Sequence, residues 1–351
     1  MTKFLRHDPK ELARQTPIAN ITDRDVWQYM VTPVVKALLG PVTSSRIELR
    51  DTAANIIPED RIYNINDHRL YGGDTSQVYA RFPYWHSLYV CKKGAIIIRR
   101  DGVKVEVLGW YGDLKRKQGQ LIWKVALRDR RYDGTKATND CALEHFPYDD
   151  PRLNGNFFPD AKTVEIYLFS YAPGSSIVGA CGDQELENFV AQPFAYADRP
   201  DLFLDLFGRA WKSNRAPGQW SEPIHDAGEL MEDNFTAIAK KMGYDMEEVA
   251  ASHYHVAMWC LHTGYFFTDP VQDANMTALR KGIEAIKARG TKLTRRQESW
   301  ITVLQSLPAD RIPREFYLDG ARWPQDNITL PNLWLWKPLN DKARQMKPVL
   351  V

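Results

Sequence analysis

The apolar residues of this chain change their spacing near residue 195. Before that point they alternate with polar residues or form short β-branched runs, as at 95–99, and after it they recur at helical spacing for more than a hundred residues. Alternation is typical of half-buried strands, and the helical spacing is typical of amphipathic helices. The pattern therefore predicts an α+β protein, in which a mainly antiparallel β-sheet N-terminal domain is followed by an all-helical bundle domain.

Four regions are expected from this pattern and from the turn signals. They are an N-terminal helical segment (1–42), an antiparallel β-rich domain (43–195), a five-helix bundle domain (196–310) and an irregular Trp/Pro-rich C-terminal tail (311–351). Strands are predicted at 87–91, 95–99, 103–107, 120–128 and 163–171, with Asp101-Gly102 as a hairpin turn. Residues 129–160 are predicted to form a long polar loop, and loops of that length commonly carry function.

The helices are predicted from their apolar spacing and their end signals. The first begins at Asp23 behind a Thr22 or Asp23 cap and ends at Leu39, with Pro33 expected to kink or break it. Five more are predicted at 201–213, 226–242, 246–264, 271–289 and 294–306. The tail is expected to pack back across a domain or onto a partner.

Charge and cysteine content narrow the functional classes. The 351 residues include 46 basic and 44 acidic side chains, for a net charge of +2, so any anion-binding surface has to be local. The four cysteines form no Cys-x-x-Cys pair, which excludes a zinc ribbon and a dense disulfide scaffold. No stretch reaches the ~18 apolar residues of a membrane-spanning helix. We therefore expect a cytoplasmic protein with reduced thiols and no membrane partner.

Basic and aromatic residues are concentrated in the predicted sheet. Proteins that bind single-stranded nucleic acid use cations to hold phosphates and flat rings to stack on bases. Packing of aromatics within strands and protection of edge strands by Lys and Arg are the structural alternative. The candidate nucleic-acid contacts are Arg81, Trp85, Lys92, Lys93, Arg99, Lys115, Arg116, Lys117 and Lys124.

Residues 235–249 have the spacing of a helix-turn-helix. A small residue at Ala239, a glycine at Gly243 and an apolar residue at Val249 meet its three requirements. A helix that reads a DNA groove begins with Arg, Lys, Asn or Gln, whereas this one begins with Glu247 and Glu248. An ordinary helix-Gly-helix corner is the favoured interpretation.

Four potential metal ligands lie close together in the predicted helix 246–264. Zinc can be bound by histidines and a thiol, but on a helix His253 and Cys260 share one stripe while His255 and His262 share another. We therefore expect structural histidines rather than a metal site.

His225 and Asp226 stand at the start of a predicted helix. They resemble the His-Asp dyad of the HD metal-dependent phosphohydrolase family, whose all-helical domain holds a divalent ion. The resemblance implies a later metal-binding aspartate, for which Asp269 or Asp273 would serve. An HD enzyme also needs an earlier helical histidine, which the predicted helix 201–213 lacks.

The predicted helix 226–242 also carries three acidic residues on one face. Glu229, Glu232 and Asp233 have the spacing i, i+3 and i+4. The ferritin-type di-iron arrangement requires a histidine three residues after a glutamate, and neither Glu229 nor Glu232 has one. The sequence therefore predicts a solvated acidic face.

The sequence contains no P-loop, no dinucleotide-binding glycine motif, no Gly-x-Ser-x-Gly and no His-Glu-x-x-His. Three functions stay open. The first is a nucleic-acid-associated protein that uses the basic and aromatic sheet surface to bind single strands. The second is a structural or assembly subunit that contacts itself or other proteins through residues 323–351. The third is a metal-dependent phosphohydrolase-like enzyme centred on His225 and Asp226. No cofactor is indicated.

Overall fold

The structure is a computed structural model and describes residues 16–33, 48–50, 85–91, 94–100, 104–111, 120–129, 157–158, 160–170, 183–213, 215–219, 224, 226–323 and 333–349. Its strands are β1 (Glu48–Arg50), β2 (Trp85–Cys91), β3 (Gly94–Arg100), β4 (Lys104–Tyr111), β5 (Gln120–Asp129), β6 (Thr163–Ser170), β7 (Met246–Ala251), β8 (Phe266–Phe267) and β9 (Leu333–Pro338). They form one mixed sheet in the order β1-β2-β3-β4-β5-β6-β7-β9-β8. Strands β6 and β7 are parallel, and the other neighbours are antiparallel.

The described helices are α1 (Asp23–Val26), α2 (Gln184–Ala191), α3 (Pro200–Lys212), α4 (Ala227–Lys241), α5 (Tyr254–His262), α6 (Pro270–Ala288), α7 (Arg295–Leu304) and α8 (Asp341–Arg344). None of them combines the length and the apolar character that a bilayer span requires. Short 3-10 turns lie at Pro17–Asn20, Pro193–Tyr196, Ala309–Arg311 and Arg314–Phe316.

The first helix starts where the sequence predicts. Thr22 and Asp25 form a reciprocal capping box, which satisfies backbone donors at the helix start. The helix then widens into a π-helical turn over Trp27–Val31, where the Thr32 N–H bonds to the Trp27 carbonyl. This widening directly precedes Pro33, whose ring cannot fit the regular α-helical ladder. The predicted end at Leu39 lies outside the described residues.

The five predicted strands of the N-terminal half are confirmed as β2 to β6, paired antiparallel in sequence order. Alternate residues of these strands face a core that α1 and α4 cover from one side; it includes Val107, Val125 and Phe235. A second core lies among the helices and includes Phe189, Trp300 and Leu335. The predicted loop 129–160 is described only at Asp129, which ends β5, and at 157–158 and 160.

The α+β class is confirmed, but the predicted separation of a sheet domain from a C-terminal helical domain is wrong. Strands β7, β8 and β9 come from the second half of the chain and continue the same sheet. Helix α4 packs on the core face of the strands from the first half. The strands and helices are therefore interleaved.

The predicted helix 246–264 is wrong in its first half, where the chain forms β7. Gly243 ends α4 with a positive φ of 79°, as a helix stop requires. The Asp245 N–H then bonds to the Lys162 carbonyl at 2.8 Å, and this places the following residues beside β6. Helix α5 begins only at Tyr254. No helix follows Gly243 directly, so both the helix-turn-helix and the helix-Gly-helix corner are excluded.

The tail is less irregular than predicted. Residues Leu333–Pro338 form β9, which lies between β7 and β8, and Leu333 and Leu335 are fully buried. On the other face of the strand, Trp336 packs against Phe158 with ring centroids 4.8 Å apart. The tail therefore packs back onto the protein as a strand. Deleting residues 323–351 would remove part of the sheet.

Two glycines allow a matched test of the packing. A Cβ on Gly109 in β4 would lie 2.0 Å from the Trp123 ring, whereas a Cβ on Gly208 in α3 meets nothing within 4 Å. We expect Gly109→Ala to lower the free energy of unfolding by about 1–3 kcal/mol because it overpacks a buried site. Gly208→Ala should raise it by about 0.5–1 kcal/mol through helix propensity. Urea unfolding measures both, and equal effects of the two substitutions would contradict the described β4–β5 packing.

Candidate functional site

Among the described residues, charged and hydroxyl side chains form a largely buried cluster on one face of the sheet. Glu247 of β7 and Lys337 of β9 are directly opposite each other across an antiparallel pair. Helix α4 contributes Glu232 and Thr236, which are one helical turn apart, and Tyr265 lies between α5 and β8. We call these five residues the Glu247 cluster.

The Glu247 cluster is held together by direct contacts. The Lys337 Nζ donates to Glu232 Oε1 at 2.7 Å and to Thr236 Oγ1 at 3.0 Å. Glu247 Oε2 accepts from the Tyr265 hydroxyl at 3.0 Å and from Thr236 Oγ1 at 3.2 Å. The Lys337 Nζ lies 4.0 Å from the same Glu247 oxygen. Two carboxylates therefore share one ammonium group.

The second carboxylate oxygen of Glu247, Oε1, is buried and has no hydrogen-bond partner among the described residues. Burial and the neighbouring Glu232 charge raise the pKa of Glu247 from 4.5 to about 7, although Lys337 and the two hydroxyl hydrogen bonds act in the opposite direction. Burial also raises the pKa of Tyr265 and of the adjacent Cys260 thiol. The group that can exchange a proton near neutral pH is therefore Glu247.

The structure corrects the prediction of a solvated acidic face on α4. Glu229 and Asp233 are exposed, but Glu232 is buried and forms the short ion pair with Lys337. The sequence does not predict the cluster as a whole. The signal that points to it is the position of Glu232 three residues before Phe235, which is buried, because residues at that spacing share one stripe of a helix.

His253 and His255 pack against aromatic and hydroxyl side chains. His253 precedes α5 in extended backbone and stacks between Phe194, at 5.8 Å, and His255, at 6.0 Å. His255 Nδ1 lies 3.0 Å from Ser299 Oγ. Burial lowers the pKa of His253 to about 3 and that of His255 to about 4, so both rings are neutral at physiological pH.

Of the residues that the resemblance to the HD family implies, the structure describes Asp226, Asp269 and Asp273. Asp226 precedes α4 in left-handed backbone, with φ of 57°. Asp269 caps α6, where its side chain accepts from the Val271 N–H at 2.8 Å, and Asp273 lies in the first turn of that helix. His225 lies outside the described residues. Within the described part of the chain, no group of three or more His, Cys, Asp or Glu is arranged to hold a metal ion.

Three of the nine candidate nucleic-acid contacts, Trp85, Arg99 and Lys124, lie on described strands of the sheet. Trp85 begins β2 and Arg99 lies near the end of β3, and the register places Trp85 opposite Arg100 and His86 opposite Arg99. Lys124 in β5 is buried and forms an ion pair with Glu106 at 3.2 Å. Its charge is thus balanced inside the protein. The remaining candidates lie outside the described residues: Arg81, Lys92, Lys93, Lys115, Arg116 and Lys117.

Comparisons with known protein families, with curated proteins and with solved structures return no match for this chain.

Proposed function

We propose that the protein binds single-stranded nucleic acid at one end of strands β2 to β5, through Lys92, Lys93, Lys115, Arg116 and Lys117. We call these residues the strand-end cations. The proposal is supported by one observation of the register: Cys91, Gly94, Tyr111 and Gln120 are successive partners in one row across β2 to β5. The chain segments that carry all five cations leave from and return to this row.

Covalent connectivity limits how far these cations lie from the row. Lys92 and Lys93 directly follow Cys91 and precede Gly94, and Lys115 is four residues from Tyr111. An extended chain of four residues spans roughly 14 Å at most. The two segments together contain five cations and one acidic residue, Asp113. A local positive charge of this kind attracts phosphates even though the whole chain is close to neutral.

Lys124 does not belong to the proposed site, and Trp85 and Arg99 lie in a separate part of the sheet. Lys124 is neutralised by Glu106, so it adds little to the attraction for phosphates. Trp85 and Arg99 lie at the opposite end of the β2–β3 pair from Cys91 and Gly94, at a distance of roughly 20 Å along the strands. A single strand long enough to reach both ends would contact both groups.

The test is fluorescence anisotropy with a labelled single-stranded oligonucleotide at several salt concentrations. We expect binding at low salt, with log K falling as salt rises. The variant Lys115→Ala/Arg116→Ala/Lys117→Ala should bind more weakly, and its salt dependence should be shallower by about 0.7 for each phosphate that the variant no longer neutralises. The matched control is Lys342→Ala/Arg344→Ala/Lys347→Ala, which removes the same charge from exposed positions elsewhere.

Equal weakening by both triple variants would indicate a general charge effect and would contradict the proposed site. Absence of binding at low salt would contradict the function itself. Stronger binding of duplex than of single strands would also count against it, since the proposed mode requires accessible bases.

A further inference from the structure

The charges of the Glu247 cluster do not balance when every group is ionised. Glu232 and Glu247 supply two negative charges, and Lys337 supplies one positive charge. Glu232 and Glu247 are both buried, so the excess charge has little access to solvent. An unpaired charge in such a place is strongly disfavoured, and binding a proton is the usual way to remove it.

We propose that Glu247 carries a proton in the folded protein, beside the ion pair of Glu232 with Lys337, and that this proton fastens α4 to β7 and β9. The three charged groups come from those three elements, so the contacts among them join the helix to the sheet. When the proton leaves, the two carboxylates repel each other across this junction. The attachment of α4 is therefore expected to be tighter below neutral pH than above it.

The groups that surround Glu247 allow the proton to be assigned to Glu247. Helix α4 presents Glu232 and Thr236, β9 presents Lys337, and the segment before β8 presents Tyr265. Helix α5 contributes Cys260, whose thiol is buried near Glu232. Burial raises the pKa of both Tyr265 and Cys260, so these two groups stay protonated and neutral across the neutral range.

The direction of the pH effect follows from the raised pKa of Glu247. The ordinary pKa of this carboxyl is 4.5, and its folded-state pKa is about 7. Between these two pH values the folded protein keeps the proton, whereas the unfolded chain has lost it. Its contribution to stability is complete below pH 4.5 and is lost as pH rises through 7.

His253 and His255 act in the opposite direction. Burial lowers their pKa values, so their contribution is complete above about pH 6.5 and is lost as pH falls. The two effects overlap between pH 4.5 and 6.5. For this reason, the measured quantity has to be the difference in the free energy of unfolding between the natural protein and a variant that lacks only the Glu247 proton.

The experiment is urea unfolding of the natural protein and of Glu247→Gln from pH 5 to pH 8. Glutamine keeps an oxygen that can accept from Tyr265 and Thr236, but it carries no charge. We expect similar unfolding constants at pH 5. At pH 8, the unfolding equilibrium constant of the natural protein should exceed that of the variant by a factor on the order of 100. Glu229→Gln, an exposed carboxylate of the same helix, is the matched control and should follow the natural protein.

Hydrogen exchange locates the effect. After correction for the intrinsic pH dependence, the ratio of α4 amide protection at pH 8 to that at pH 6 should be smaller in the natural protein than in Glu247→Gln, because both proteins share the histidine effect and only the natural protein has the Glu247 proton. Parallel stability curves for the two proteins would overturn the proposal. If Glu247→Gln does not fold, carbon NMR of glutamate carboxyls in the natural protein decides the question: a carboxyl that titrates near pH 7 supports the proposal, and its absence overturns it.

Discussion

Replacing Trp300 with alanine is expected to lower the free energy of unfolding by about 4 kcal/mol. The side chain is 1% exposed. Its ring stacks on Phe189 with centroids 5.3 Å apart and an interplanar angle of 8°, and its Nε1 donates to the Arg215 carbonyl at 2.6 Å. The substitution therefore leaves a large cavity where α2 and α7 meet, and it also leaves a carbonyl without its donor. Urea or thermal unfolding measures the loss.

Two further variants separate the causes. Trp300→Phe keeps a ring for stacking but removes the N–H donor, so we expect a smaller loss, of about 1–2 kcal/mol. Val271→Ala removes an apolar side chain that is 64% exposed and should change the stability by less than about 0.5 kcal/mol. If Trp300→Ala were as mild as Val271→Ala, the described packing of α2 against α7 would be wrong.

Local pattern is sufficient for the elements whose partners are near in sequence. Val164 and Ile166 alternate with Thr163 and Glu165, and β6 forms with its apolar face in the core. The strands on either side of Asp101-Gly102 pair as a hairpin requires. In each case one partner is the neighbouring strand along the chain, and for β3 and β4 alternation and the turn residues together determine the pairing.

The sequence Met-Glu-Glu-Val-Ala-Ala at 246–251 predicts a helix wrongly for a physical reason. Met, Glu and Ala are strong helix formers, yet this segment forms β7 between β6 and β9. Its neighbours come from residues 163–165 and 333–338, and such distant pairing leaves no local signal. Because the pattern also predicts an irregular tail where β9 lies, it offers no partner for a strand at 246–251.

The Glu247 cluster cannot be assembled from the sequence for the same reason. Glu232 and Lys337 are 105 residues apart, and the local pattern assigns Glu247 to a helix. That pattern shows acidic residues close together on α4, but it does not distinguish the buried one from its exposed neighbours. The distinction depends on β9, whose lysine makes the burial of Glu232 possible.

Replacing Lys337 with methionine is expected to lower the free energy of unfolding at pH 8 by about 3 kcal/mol. Methionine keeps most of the apolar stem, so the packing loss is small. The ammonium that both carboxylates share is removed, and Glu232 and Glu247 are left buried without a counter-ion. The loss should be smaller at pH 5, because Glu247 can then carry a proton and be neutral. Urea unfolding at both pH values measures the effect.

A double substitution tests whether the charge imbalance causes this loss. Lys337→Met with Glu232→Gln removes one charge of each sign, so more than half of the stability lost in Lys337→Met should return. The control is Lys287→Met on α6. Lys287 forms more exposed ion pairs with Glu284 and Glu298, so the free energy of unfolding of this variant should fall by less than about 1 kcal/mol. If the double variant were no more stable than Lys337→Met, the loss would come from packing of the lysine stem, and the shared-ammonium arrangement would not be the source of its stability.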